Sequence, residues 1–80
     1  MQQNNNKLKE VEFSEFLTKK RKEKEWSKAE LSRRSGVSIQ YICDIEKKRR
    51  MPSIEYLVRL AKALTFSLDE FFLPSSSAKA

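Results

Sequence analysis

The chain has no histidine, one cysteine, one glycine and two prolines in 80 residues. Without histidine it lacks the commonest general base and the commonest metal ligand. Cys43 has no second cysteine with which to close a disulfide, and no histidine to activate it as a nucleophile. Such usage suits a reducing compartment, so a cytoplasmic protein is expected. A single glycine excludes a glycine-rich phosphate loop, and no carboxylates fall at a catalytic or metal-binding spacing. The sequence therefore argues against an enzyme and for no metal, cofactor or small-molecule ligand. No apolar run approaches the ~18 residues of a transmembrane helix, and the opening MQQNNNKLKE lacks the apolar stretch of a signal peptide. No membrane partner is expected.

What is present is positive charge. Lys and Arg number 17 against 11 Asp and Glu, a net charge of +6. Residues 1–26 carry 7 basic and 5 acidic side chains, residues 27–52 carry 7 and 3, and residues 53–80 carry 3 of each. The excess sits in the middle third, where SRRSGVSIQYICDIEKKRR ends in four consecutive cations. A concentrated basic surface on one small domain favours a polyanionic partner.

Scarce glycine and proline, and β-branched residues that do not alternate with polar ones, predict an all-α fold. Phe13, Phe16 and Leu17 give a first helix over about 9–24, ending in the charged run TKKRKEKE, which reads as a solvated helix end. Ser27 with Glu30 makes a capping box, and Trp26 with Leu31 a hydrophobic staple, for a second helix at 28–35. Gly36 ends it in the left-handed conformation that glycine adopts cheaply. Ser38, stapled by Val37 and Ile42, starts a third helix over 39–47, with Ile42 and Ile45 facing inward. Ser53 caps a fourth, whose Leu57, Leu60, Ala61 and Leu64 form a buried stripe. Ser67 and Glu70, with Phe66 and Phe71, start a fifth. The domain is expected over 9–73, between a disordered arm at 1–8 and a flexible tail at 74–80.

Helices two and three, joined by the turn SGVS, have the spacing of a helix-turn-helix, whose second helix enters the DNA major groove. From WSKAELSRRSG through SLDEFF the chain resembles the phage Cro/CI-type, or XRE-like, regulators; with helix one the resemblance covers about residues 10–73. It implies a five-helix, lambda-repressor-like bundle and sequence-specific binding of double-stranded DNA as a homodimer, often in repression. By the same resemblance, base edges are met by Ser38, Ile39, Gln40, Cys43 and Asp44, with Lys47 at the far end of the helix. The chemistry of these side chains is compatible: Gln40 can pair bidentately with adenine, Ile39 can pack on a thymine methyl, and Asp44 can accept from a cytosine amino group. Phosphates are expected to meet Lys28, where the start of helix two also favours an anion, and Lys48, Arg49 and Arg50, with Arg34 a further candidate. Arg21 and Glu46 match a structural ion pair of the family that joins helices one and three.

Two positions depart from the family pattern. Lys48 stands where glycine is frequent and Thr65 where glycine or asparagine is, both at turns that go left-handed, at a cost of about 1 kcal/mol each. Asp44 places a negative charge on the face expected to meet DNA. Phe71, Phe72 and Leu73 crowd three large apolar side chains onto one short helix, so part of that set is expected to form a dimer seam. Asp44 and the neutral C-terminal third leave an alternative of another class: an adaptor or antitoxin that uses a helix-turn-helix scaffold to hold a protein.

Overall fold

A computed structural model describes residues 2–72, with side chains from Glu10 onward. Among these residues five helices follow in order: α1 (Gln2–Glu23), α2 (Lys28–Ser35), α3 (Ile39–Glu46), α4 (Ile54–Leu64) and α5 (Leu68–Phe72). The all-α expectation holds. The first helix begins at Gln2, not near residue 9, so most of the expected N-terminal arm continues α1. No glycine or proline lies between Gln2 and Glu23 to stop it. Leu73 and the expected tail at 74–80 lie outside the described residues.

Serine hydroxyls start the four later helices. Ser27, Ser38, Ser53 and Ser67 accept from the backbone N–H of Glu30, Tyr41, Tyr56 and Glu70, at 3.0, 3.1, 3.3 and 3.3 Å. Each satisfies a donor that the helix itself leaves unpaired. The Glu30 half of the first box does not close: its carboxylate turns to Arg33 and Arg34.

The helix ends share a second device. Gly36 closes α2 with φ of 78°. Three non-glycine residues, Glu25, Lys48 and Thr65, take the same left-handed state with φ of 62°, 65° and 58°. At each, the next N–H reaches five residues back: Trp26 to Arg21, Arg49 to Asp44 and Phe66 to Ala61, at 3.3, 2.9 and 3.1 Å. These are Schellman closures, which satisfy carbonyls at the helix end, here made without glycine.

The core draws on every helix but α5. Phe13 and Leu17 from α1, Leu31 from α2, Val37 from the turn, Ile42 and Ile45 from α3, and Leu57, Leu60 and Leu64 from α4 are all at most 3% exposed. Burial of each such aliphatic side chain contributes roughly 1.5–3 kcal/mol, which fixes α3 by its inner face and turns its outer face to solvent. Phe66 stands edge-on to Phe16, with ring centroids 4.9 Å apart. Phe71 stands edge-on to Phe13 at 5.1 Å and lies beside Phe16 at 5.4 Å. The Phe71 ring is thus occupied within its own molecule, in a slot made by α1. Phe72, 39% exposed, is the described part of the expected seam that faces outward.

Candidate nucleic-acid interface

The helix-turn-helix unit is held in place by polar contacts as well as by its core. Arg21 donates to both carboxylate oxygens of Glu46, at 2.7 and 3.0 Å, and its third contact is the Trp26 carbonyl at 2.7 Å. Both side chains are 10% exposed or less. The bidentate bond to Glu46 holds the Arg21 guanidinium above its ordinary pKa, against the opposing effect of burial. Ser14, 1% exposed, donates its hydroxyl to the Glu46 carbonyl at 2.7 Å. The end of α3 is therefore tied to α1 through both the side chain and the backbone of one residue. At the other end, Arg59 of α4 donates to the Gly36 carbonyl at 3.3 Å and secures the turn before α3.

The outer face of α3 carries residues at the spacing of one helical stripe: Ile39, Gln40, Cys43, Asp44 and, at its cap, Lys47. Ile39 is 47% exposed, Gln40 is exposed, and Cys43 and Asp44 are half-buried. Ser38, the cap, is exposed beside them, though its hydroxyl already accepts from Tyr41. Asp44 does not stand alone. Gln40 Nε2 donates to its Oδ1 at 3.2 Å, and the guanidiniums of Arg49 and Arg50 each lie 3.9 Å from one of its oxygens. Its negative charge is answered locally by two cations, so the objection raised by an acid on this face is reduced.

The loop after α3 is anchored by aromatic rings. Arg50 lies over the Tyr41 ring at 4.4 Å, Tyr41 stands edge-on to Tyr56 at 4.6 Å, and the Tyr41 hydroxyl accepts from the Ser53 N–H at 3.2 Å. Arg50 therefore has both an anion and a π face to hold it, Arg49 has the anion alone, and Lys47 and Lys48 project as exposed cations.

Where α1, the start of α2 and the end of α3 meet, an open groove of about 510 Å³ is lined by Lys19, Lys22, Lys28, Lys47 and Lys48, with Arg21 and Glu46 also in its wall. Three of these lysines are expected from the sequence. Lys19 and Lys22 are not: they belong to the run read as a solvated helix end. Their signal lay in helical spacing, since Glu15, Thr18, Lys19 and Lys22 fall on one face of α1. Arg34 is not among the residues lining this groove; its guanidinium pairs with Glu30 and lies 4.6 Å from the centre of the Trp26 ring. A second groove, about 550 Å³, is apolar along Met51, Pro52, Ile54, Leu57 and Phe72, with Arg49, Arg50 and Glu10 also lining it. Ile54 is 70% exposed there.

A helix-turn-helix family model matches residues 17–71, from the last two turns of α1 into α5. The chain belongs to the XRE-like helix-turn-helix family. It is also 40% identical over 55 residues to an uncharacterized HTH-type transcriptional regulator, y4dJ, of Sinorhizobium fredii, covering 69% of this chain and 71% of that protein. No solved structure matches. Within this family member, no described helix is long and apolar enough to cross a membrane, and the described residues hold no cluster of metal-ligating side chains.

Proposed function

We propose that this chain is a transcriptional regulator that binds double-stranded DNA in a sequence-specific way, with α3 in the major groove. One observation carries the reading: the exposed outer face of α3 continues directly into a groove lined by five lysines. The face supplies groups that distinguish bases, and the lysines supply the sequence-independent attraction to phosphates. The family membership and the name of the Sinorhizobium relative support the same reading. Ile39 and Gln40 are the principal base readers, Ser38, Cys43 and Lys47 border them, and Lys28, Lys48 and Arg49 meet the strands.

The working form is a homodimer on a near-palindromic operator, with half-sites one helical turn, about 34–36 Å, apart. One feature supports it. Ile54 and Phe72 put exposed apolar surface beside the basic loop, the kind of patch that a protein–protein contact covers. Occupancy of an operator overlapping a promoter makes the outcome repression. The same apolar groove favours a second reading, an adaptor that grips another protein.

Selection from a pool of random duplexes separates the two. A regulator enriches one near-palindromic motif and binds it as a dimer; an adaptor binds duplexes weakly and without a motif. On the selected site, Lys28→Ala is expected to weaken binding to all sequences alike and to lower the salt slope by about one unit. An unchanged slope would remove Lys28 from the phosphate contacts.

A further inference from the structure

We propose that Asp44 is a positioning residue that sets which way the amide of Gln40 faces, and so which base Gln40 accepts. The inference rests on the DNA-reading function proposed above. A glutamine amide has an acceptor end and a donor end that differ little in shape, so an isolated surface glutamine presents either by turning over. A carboxylate only accepts. Asp44 stands one helical turn after Gln40 and takes one Nε2 hydrogen at 3.2 Å. That contact is lost if the amide turns over, because Oε1 would then face a carboxylate.

The carboxylate is itself restrained. Asp44 is half-buried and lies 3.9 Å from the Arg49 and Arg50 guanidiniums. Arg50 is in turn seated on the Tyr41 ring. The chain of contacts runs from a fixed aromatic ring to a cation, to an acid, to the amide. With one N–H used, Gln40 offers Oε1 and its second N–H side by side. This pair matches the N6 donor and N7 acceptor of adenine. Turned over, the amide would present its donor end where Oε1 stood, and the O6 acceptor of guanine would become acceptable there. Asp44 thus excludes guanine without touching a base.

The test compares the 80-residue chain with Gln40→Ala, Asp44→Ala and Asp44→Asn by selection from random duplexes and by titration of the selected site and its single-base variants. Thermal melting checks that the variants fold, as expected for changes on the outer face of α3. Gln40→Ala identifies the base pair that Gln40 reads. At that pair Asp44→Ala is expected to lower discrimination against guanine by about fivefold or more, the loss of one good contact. Both Asp44 variants remove a negative charge and should bind all duplexes more tightly. Asp44→Asn puts an amide where the carboxylate stood; it can donate as well as accept, so it should not fix the Gln40 amide and should lose most of the discrimination that Asp44→Ala loses. The double variant Gln40→Ala/Asp44→Ala should lose no more at that pair than Gln40→Ala does.

Asp44→Ala with full discrimination at the Gln40 pair overturns the inference and leaves the DNA-reading function standing. A loss confined to a different base pair also overturns it, and makes Asp44 a base reader in its own right. A wild-type chain that selects no motif overturns both.

Discussion

Lys48 and Thr65 close their helices in the same backbone state, with φ of 65° and 58°, and the residue after each reaches five residues back. Lys48 ends α3 at the proposed DNA face; Thr65 ends α4 on the far side of the sequence from it. Glycine would adopt either conformation at lower cost. At Lys48 the strain has a return, since the side chain lines the five-lysine groove. Thr65 has only a local hydrogen bond, from its hydroxyl to the Leu64 carbonyl, and its branched Cβ makes the left-handed state more costly still. The same contrast runs between the middle and last thirds of the chain. Residues 27–52 hold a net charge of +4 and residues 53–80 a net charge of zero, although both are built from the same caps and the same apolar stripes. The scaffold is repeated; the charge is added where the partner is proposed to lie.

The Arg21–Glu46 pair ties α1 to the end of α3, and breaking it should have the most severe consequence. Arg21→Ala leaves the Glu46 carboxylate nearly enclosed without its cation, and leaves the Trp26 carbonyl without its donor. The expected loss is about 3 kcal/mol, measured by urea denaturation. Arg21→Met with Glu46→Leu removes both charges and should lose much less, because no charge is then left buried. A double variant as unstable as the sum of the two singles would show that the pair acts through something other than mutual neutralisation.

The Lys48 and Thr65 caps allow a milder and more discriminating test. Thr65→Gly and Lys48→Gly should each stabilise the fold by about 0.5–1 kcal/mol, by relieving the left-handed strain. Only Lys48→Gly should also weaken DNA binding, with a salt slope lower by about one unit. If both variants bound DNA as the wild type does, Lys48 would be a strained cap with no part in the interface.

The caps and the core were readable in the sequence because their causes are local. A serine three residues before the N–H it binds, and leucines at helical spacing, carry their own explanation. The features that were not readable join residues whose proximity arises from folding, or residues whose types give no local signal. Phe71 looked like a surplus apolar group until α1 supplied Phe13 and Phe16 as a slot for it. Lys19 and Lys22 read as part of a solvated charge run in the sequence, and only the fold brings the start of α2 and the end of α3 beside them. Glu25 gave no sign of a left-handed residue, being a glutamate in a run of lysines and glutamates. The Gln40–Asp44 contact was available from its four-residue spacing. Its restraint by Arg49 and Arg50 is legible only in the fold, which brings the loop after α3 back against Asp44.

The mildest expected effect concerns Glu30, an acid in the strongly basic middle of the chain. Hydrogen bonds from Arg34 and then Arg33 hold its carboxyl below the ordinary glutamate value. A carboxyl whose pKa is lowered by folding contributes stability that is fully present above its unfolded pKa of about 4.3 and is lost as pH falls through the lower, folded value. Arg21 shows the opposite sign. Its raised pKa contributes throughout the range below the ordinary arginine value and is lost only at extreme alkalinity, so it adds no slope in mild acid. Glu30→Gln should therefore be slightly less stable than the wild type at neutral pH. The gap should close as the solution is acidified past the glutamate range, read from melting temperatures at a series of pH values. It should also shrink in high salt, because the three side chains lie at the surface of α2 and are screened there. A gap that stayed constant through acid would mean that Glu30 supports α2 by helix propensity alone, and that its two arginines contribute nothing to the start of the helix-turn-helix.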